Sequence, residues 1–150
     1  MEKKEGKPLK EYITHSVEET EALGEKLASR LLPGTVVAFS GGLGMGKTTF
    51  TRGLAKGLGA TEYVSSPTFS LVNEYGGNPP LVHFDMYRID SWEDLYTTGF
   101  FDYIDEGYIL SVEWSENIEN ALPDDTVFVH FERDENTDFR IIKIEGGCTE

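Results

Sequence analysis

The pattern of apolar and polar positions begins with one clear helical segment. Residues 16–32 place valine and leucine side chains largely on one helical face, and they open with Ser16 and Glu19 at capping-box spacing. We expect this helix to end at Pro33-Gly34, because proline and glycine interrupt helices. The charged segment over residues 1–11 has no such pattern, and we expect it to form a loose arm.

A strand and a second helix follow. Residues 35–40 (TVVAFS) form a short β-branched and apolar run, which is typical of a buried strand. From Lys47 to about Leu58 the pattern is helical, and Gly59 is a typical residue for ending a helix. The glycine-rich stretch between the strand and this helix is therefore predicted to be a connecting loop.

The rest of the chain alternates strands with turns. The stretch SPTFSLVNEY is interpreted as a loop entering a strand, GGNP as a turn and PLVHFDMYR as the antiparallel partner strand. Ser91 is expected to cap a short helix over residues 92–104, broken at Gly99. GYILSVEW follows as an apolar strand, and TVFVHFER and DFRIIKIEG alternate around a DENT turn as a second hairpin. These elements predict one three-layer α/β domain over residues 1–150, with helices flanking a mixed β-sheet.

Composition and charge narrow the classes of partner and location. The chain has 27 acidic and 13 basic residues, for a formal net charge of −14. Because phosphate contacts need lysine and arginine, we expect no autonomous DNA binding. No apolar run approaches the ~18 residues that a membrane span needs, and the N-terminus does not resemble a signal peptide. The single cysteine, Cys148, cannot form an internal disulfide, so we expect a cytoplasmic protein.

The glycine-rich loop carries the strongest chemical motif. Gly41 and Gly46-Lys47-Thr48 satisfy the phosphate-loop pattern G-x-x-x-x-G-K-[ST]. Glycines let backbone N–H groups point at an anion, the lysine adds a point charge, and the threonine hydroxyl is a suitable Mg²⁺ ligand. A preceding strand and a following helix distinguish this loop from a chance glycine-rich turn. The predicted nucleotide-binding residues of the loop are Gly41, Gly42, Leu43, Gly44, Met45, Gly46, Lys47, Thr48 and Thr49.

Two carboxylates at strand ends are candidates for the metal that such a loop needs. Asp85 follows the apolar stretch LVHF, and Glu113 follows YILSV. Because carboxyl ends of strands in an α/β sheet lie beside the phosphate loop, each could hold Mg²⁺ or its water shell. The alternative is an acid that caps a loop or pairs with an arginine such as Arg88. For His83 we favour a hydrogen-bonded, partly buried side chain over a catalytic base.

Features of the sequence distinguish between classes of phosphate-loop protein. A GTPase should carry an N-K-x-D guanine reader, but none of the five asparagines is followed by lysine. A small-metabolite kinase usually needs several arginines in a lid, whereas the five arginines here are scattered. A compact ATPase is favoured. A small-metabolite kinase and a switch-like module that binds ATP with little turnover remain open.

The ordered set GGLGMGKTTFTRGLAKGLG, SSPTFSLVNEY, LVHFDMYRI and SVEW resembles the TsaE (YjeE) family of small bacterial ATPases. The resemblance covers residues 14–145 and implies a role in making N6-threonylcarbamoyladenosine (t6A) at position 37 of tRNAs that read ANN codons. It implies a weak ATPase that uses ATP and Mg²⁺ and binds a TsaB–TsaD heterodimer. Hydrolysis would be stimulated by these partners, and tRNA would be contacted only through them.

The resemblance also assigns roles at matching positions. Lys47 and Thr48 match the phosphate-loop lysine and the magnesium threonine. Asp85 matches a Walker-B-like aspartate that would orient water or a metal-bound water, and Glu113 matches a glutamate near magnesium. Thr68, which by itself is better explained as part of a plain turn, matches a switch-loop threonine that would respond to the γ-phosphate.

The remaining assignments concern the edges of the site. Trp114 matches a tryptophan beside the magnesium glutamate. Thr20, at the start of the first helix, and Arg140, in the last hairpin, are expected to approach the nucleotide. The family loop usually reads G-D-L-G-A-G-K-T, so Gly42 and Met45 depart from it. Gly42 removes a carboxylate near the γ-phosphate, which puts any water-orienting role at that position in doubt.

Overall fold

The computed structural model of the chain describes residues 9–41, 46–60, 72–86, 89, 91–113 and 115–146, with backbone only at 115–117. The strands are β1 (Leu9–Thr14), β2 (Val36–Gly41), β3 (Val72–Gly77), β4 (Pro80–Asp85), β5 (Ile109–Glu113), β6 (Val127–Arg133) and β7 (Arg140–Glu145). The helices are α1 (Val17–Ala28), α2 (Lys47–Gly57), α3 (Trp92–Thr97) and α4 (Phe100–Asp105), and a 3₁₀ helix spans Ser115–Ala121.

The described strands form one mixed sheet in the order β1-β7-β6-β2-β5-β4-β3. The central strands β6, β2, β5 and β4 are parallel, while β1, β7 and β3 pair antiparallel with their neighbours. Both predicted hairpins, β3–β4 and β6–β7, are present. The prediction of a mixed sheet flanked by helices is therefore confirmed.

The first strand was not predicted. The expected loose arm included residues 9–11, but these residues belong to β1, which pairs with β7 from Leu9 opposite Glu145 to Thr14 opposite Arg140. That part of the prediction is wrong. Apolar and polar residues alternate only weakly in this segment, and its apolar Leu9 and Ile13 are both exposed. The local pattern therefore gives little indication of a strand. Its strand form comes from hydrogen bonds to a segment far away in the sequence.

Helix α1 begins as predicted and ends earlier. The Ser16 side chain accepts a hydrogen bond from the backbone N–H of Glu19, and the Glu19 carboxylate accepts one from the backbone N–H of His15. The helix stops at Ala28 rather than at Pro33-Gly34. At this end the Ser29 hydroxyl donates to the carbonyl of Lys26 at 2.7 Å, a local bond of the kind that competes with helix continuation.

One face of the sheet is covered by α1 and α2, which pack closely against each other. Gly53 lies against the α1 backbone, and a Cβ at this position would collide with the carbonyl oxygen of Glu21. Beneath the helices, Phe39, Phe50 and Phe131 pack edge-to-face with ring centroids 5.6–5.8 Å apart. This layer fixes α2, and with it the end of the glycine-rich loop, on the sheet.

The opposite face is covered by the shorter helices α3 and α4. Ser91 caps α3 by accepting from the backbone N–H of Asp94 at 3.1 Å, and Gly99 separates the two helices with a φ of 85°. Leu95, Phe100 and Phe84 fill the core on this side. The predicted helix with a break at Gly99 is confirmed. Among the described helices, none is long and apolar enough to cross a membrane.

Candidate nucleotide-binding site

The two ends of the glycine-rich loop have the backbone geometry that glycine allows. Gly41 ends β2 with a φ of 121°, and a Cβ there would collide with the carbonyl oxygen of Phe131. Gly46 precedes α2 with a φ of 104°. Both values lie in the region that other residues rarely adopt. The predicted loop residues between them, Gly42, Leu43, Gly44 and Met45, lie outside the described residues.

Helix α2 directs its N-terminus toward the end of this loop. The backbone N–H of Phe50 donates to the carbonyl of Gly46 at 2.9 Å, so the N–H groups of Lys47, Thr48 and Thr49 precede this first helical bond. The positive end of the helix dipole lies at the same place. A strand, a glycine loop and a helix N-terminus in this order form an anion-binding arrangement suited to phosphate.

Thr20 lies beside the helical end of the loop. Its Cγ2 atom is 3.6 Å from the position that a Cβ of Gly46 would occupy, and its hydroxyl is 2.7 Å from the hydroxyl of Thr14. Arg140 is the register partner of Thr14 at the start of β7, and its Nη1 donates to the carbonyl of Asp138 at 2.7 Å. Contact of Thr20 and Arg140 with a nucleotide stays a prediction.

The residue before the loop is also tied to the sheet. Ser40 is the register partner of His130, and the Ser40 hydroxyl lies 2.7 Å from Nδ1 of His130. His130 in turn lies 3.2 Å from the Glu132 carboxylate. Sequence reasoning did not group Ser40 with His130, because the two residues are 90 positions apart in the chain. The contact holds the end of β2 against β6, just ahead of the loop.

The two predicted strand-end carboxylates are brought together. Asp85 and Glu113 are register partners at the ends of the parallel strands β4 and β5. The backbone N–H of Met86 donates to the carbonyl of Glu113 at 3.0 Å and continues this pairing. Since β5 also pairs in parallel with β2, both acids lie at the edge of the sheet where β2 enters the loop.

The Glu113 carboxylate is surrounded by positive or hydrogen-bonding groups. Burial favours the neutral acid and raises the pKa of Glu113, but the hydrogen bond and charge of His83 and the charge of Lys47 outweigh it. The net pKa is below its ordinary value. Glu113 is therefore ionised at neutral pH, as a ligand for Mg²⁺ or its waters must be.

His83 extends this arrangement into the core. It is 2% exposed, its Nε2 lies 3.1 Å from the Glu113 carboxylate and its Nδ1 lies 2.6 Å from the Ser111 hydroxyl. A carboxylate only accepts hydrogen bonds, so Nε2 donates to Glu113. Nδ1 accepts from the Ser111 hydroxyl when the ring is neutral and donates to it when the ring is charged. The sequence interpretation described His83 as a hydrogen-bonded side chain but missed Ser111. The available signal was the matched spacing of His83 with Asp85 and Ser111 with Glu113, which places each pair on one face of its strand.

The described residues fit magnesium better than a metal held by protein alone. No group of three or more histidine, cysteine, aspartate or glutamate side chains suited to a metal ion occurs in the described part of the chain. Mg²⁺ usually takes one or two carboxylates and keeps waters and phosphate oxygens as its other ligands. Asp85, Glu113 and the Thr48 hydroxyl supply that kind of donor set. Thr68, Arg88 and Trp114 lie outside the described residues.

The strand β2, its glycine-rich loop, α2 and the two carboxylates on neighbouring strands define an α/β protein of the P-loop NTPase-like class. The model of the family described as "Threonylcarbamoyl adenosine biosynthesis protein TsaE" matches residues 14–142. The chain belongs to the TsaE family.

Individual relatives agree with this membership. The "tRNA threonylcarbamoyladenosine biosynthesis protein TsaE" of Bacillus subtilis is 43% identical over 124 residues, which cover 81% of this chain and 77% of that protein. The protein of the same name from Treponema pallidum is 37% identical over 117 residues, or 78% and 87% of the two chains. The crystal structure of Bacillus subtilis YdiB superposes with a TM-score of 0.78 at 32% identity, over 96% of this chain and 89% of that one.

Proposed function

We propose that this protein binds and hydrolyses Mg-ATP to support the synthesis of t6A on tRNA, acting with a TsaB–TsaD heterodimer. The observation that carries the ATPase part is the pairing of Asp85 with Glu113 at the sheet edge that β2 and α2 also reach. The proposed role in t6A synthesis is supported by membership of the TsaE family and by the names of the relatives.

The loop and helix α2 would bind the phosphates. The α2 N-terminus offers backbone N–H groups and a positive dipole, and Lys47 adds a full positive charge close enough to Glu113 to lower the pKa of that carboxyl. The Thr48 hydroxyl and the Glu113 and Asp85 carboxylates would hold the metal directly or through water. When bound, Mg²⁺ neutralises charge on the phosphates.

Water activation is assigned to Asp85, which would orient the attacking water or a metal-bound water. Thr68 would respond to the γ-phosphate, and that role rests on the sequence motif alone. No arginine finger is apparent in the sequence, and the family carboxylate is replaced by Gly42. We therefore expect slow hydrolysis by the isolated protein and faster hydrolysis with the partner heterodimer.

The charge of the protein suits a subunit whose partners hold the tRNA. A net charge of −14 opposes direct contact with a polyanion. The heterodimer would bind the tRNA and perform the transfer, while this subunit would sustain repeated turnover. A cytoplasmic location, where tRNA is modified, belongs to the same proposal.

Calorimetry tests the phosphate-binding assignment. Lys47→Ala should remove measurable binding of Mg-ATP. Lys56→Ala serves as a matched control, since Lys56 lies in the last turn of the same helix with an exposed ammonium group. Unchanged ATP affinity in Lys47→Ala would refute the site.

Phosphate release tests the activity and the partner. We expect release of phosphate from ATP without an added acceptor, which distinguishes an ATPase from a small-metabolite kinase. Purified TsaB–TsaD should increase the rate, and a reconstituted t6A reaction should stop after the first turnovers when Lys47→Ala replaces the wild type. The coupling is wrong if the heterodimer leaves the hydrolysis rate unchanged.

A further inference from the structure

Three aromatic side chains form a cluster on the outer side of α3 and α4, which we term the aromatic patch: Trp92, Tyr96 and Phe101. Trp92 is 56% exposed and Tyr96 is 68% exposed. The Trp92 ring stacks on Phe101 with centroids 5.9 Å apart and planes 4° apart, and Tyr96 lies 5.2 Å from the same ring. Clustered exposed aromatic side chains are typical of interaction sites on folded proteins.

The lysine, arginine, aspartate and glutamate positions around the aromatic patch are all acidic. Residues 91–108 include five acidic side chains and no lysine or arginine. The acidic residues are all exposed: Glu93, Asp94, Asp102, Asp105 and Glu106. Such a rim repels nucleic acid and repels the same surface on a second copy of the chain. It is complementary to a protein surface rich in lysine and arginine.

A row of packed rings leads from the aromatic patch into the core. Phe101 lies 5.2 Å from the Phe100 ring, and Phe100 lies 5.6 Å from the Phe84 ring. Phe100 and Phe84 are fully buried, and Phe84 immediately precedes Asp85 at the end of β4. A protein that binds the patch therefore contacts the outermost ring of a packed row that ends at Phe84, the residue before Asp85 in β4.

We propose that the aromatic patch is the docking surface for a protein partner that presents an apolar pocket rimmed by lysine and arginine. Trp92 and Tyr96 enter this pocket as anchors, and the acidic rim increases the association rate. The inference rests on the proposed function in one respect, since the TsaB–TsaD heterodimer is taken as that partner.

Binding of purified TsaB–TsaD, measured by biolayer interferometry, tests the anchors. Trp92→Ala/Tyr96→Ala should weaken binding about 30-fold or more, as expected for two truncated anchors at an interface. Leu9→Ala/Val17→Ala is the matched control, because these apolar residues are also exposed but lie on β1 and at the start of α1. Intrinsic Mg-ATP affinity should be the same in all three proteins, which also shows that they are folded.

The acidic rim gives a second, kinetic test. Glu93→Gln/Asp102→Asn should lower the association rate several-fold and leave the dissociation rate nearly unchanged. The wild-type association rate should fall as salt is raised, and that dependence should be shallower in the variant.

The outcomes separate the docking inference from the proposed function. Wild type that fails to bind TsaB–TsaD overturns both. If the wild type binds TsaB–TsaD and Trp92→Ala/Tyr96→Ala binds equally well, only the docking inference is overturned. Two further measurements test other occupants of the aromatic patch. If the aromatic variant loses self-association in sedimentation velocity, the patch binds a second copy of the chain; if it loses tRNA in filter binding, the patch binds RNA. Either result would refute the proposal.

Discussion

The two helical layers of the sheet differ in length, packing and exposure. On one face, α1 and α2 have 12 and 11 residues and touch backbone to backbone at Gly53. On the other, α3 and α4 have six residues each, meet at Gly99 and leave aromatic rings exposed. Both layers contain fully buried phenylalanines, so the difference is not one of core formation.

This difference indicates a division of roles. The α1–α2 layer carries the helix N-terminus at which we propose that phosphates bind, and such a site needs fixed geometry. The α3–α4 layer follows β4, precedes β5 and exposes an apolar surface, which suits binding of a partner close to Asp85 and Glu113. Short helices with few buried residues are also the elements that open most easily.

Truncating one phenylalanine in each layer gives the largest expected effects. Phe50→Ala and Phe100→Ala should each lower the free energy of unfolding by about 3–5 kcal/mol in urea denaturation, because each removes a fully buried ring. Phe50→Ala should also weaken Mg-ATP binding, since Phe50 lies in the first turn of α2. Phe100→Ala should largely keep that affinity under conditions where it is folded. Equal losses of affinity in the two variants would contradict the division of roles.

Filling the contact between α1 and α2 should cost somewhat less. Gly53→Ala places a Cβ against the backbone of Glu21 and should lower the free energy of unfolding by about 3 kcal/mol, since backbone cannot move aside cheaply. Gly59→Ala is the comparison, because nothing lies within 4 Å of its Cβ and only its φ of 76° opposes alanine, at about 1–2 kcal/mol. Chemical denaturation measures both, and equal costs would show that the helices can move apart.

The carboxylate of Glu113 should make stability depend on pH in a defined direction. Its pKa in the fold lies below the ordinary 4.5, so its contribution is fully present above pH 4.5 and is lost as pH falls through the lower folded value. The difference in unfolding free energy between wild type and Glu113→Gln should therefore shrink as the pH falls below 4.5.

His83→Ala provides the control for this pH effect. Removing the imidazole deletes the hydrogen bond and charge that oppose the burial of Glu113, so its folded pKa should rise. The loss of stability should then begin at higher pH than in wild type. An unchanged profile would mean that His83 does not hold the carboxylate in its charged form.

The smallest effect concerns the attachment of α4 to β3. The Tyr103 hydroxyl donates to Glu74 at 2.5 Å, and Tyr103→Phe should cost about 1 kcal/mol or less because the bond is exposed. This bond, followed by burial and nearby negative charges, raises the pKa of Tyr103 to about 12. In Glu74→Gln, ultraviolet titration should show a tyrosine returning toward 10.0, and a titration identical to wild type would rule out the bond.

Much of the fold followed from local pattern. The Ser16 and Ser91 caps, the break at Gly99 and the two hairpins depend on neighbouring residues, so short-range rules find them. The strand β1 did not follow, since Leu9–Thr14 has a weak alternation and becomes a strand through pairing with β7. The early end of α1 at Ala28 also escaped prediction, because helix ends depend on single side-chain bonds such as that of Ser29.

The candidate site divides in the same way. The sequence by itself determined the glycine loop, Lys47, Thr48 and the presence of acids after two apolar strands, because these features are contiguous motifs. Only the tertiary structure decided that Asp85 and Glu113 are neighbours, that His83 and Ser111 stand behind them and that Trp92 and Tyr96 face outward. Strand order, register and exposure arise from contacts between segments that are distant in the sequence. The local periodicity of apolar residues does not specify which of these segments come into contact.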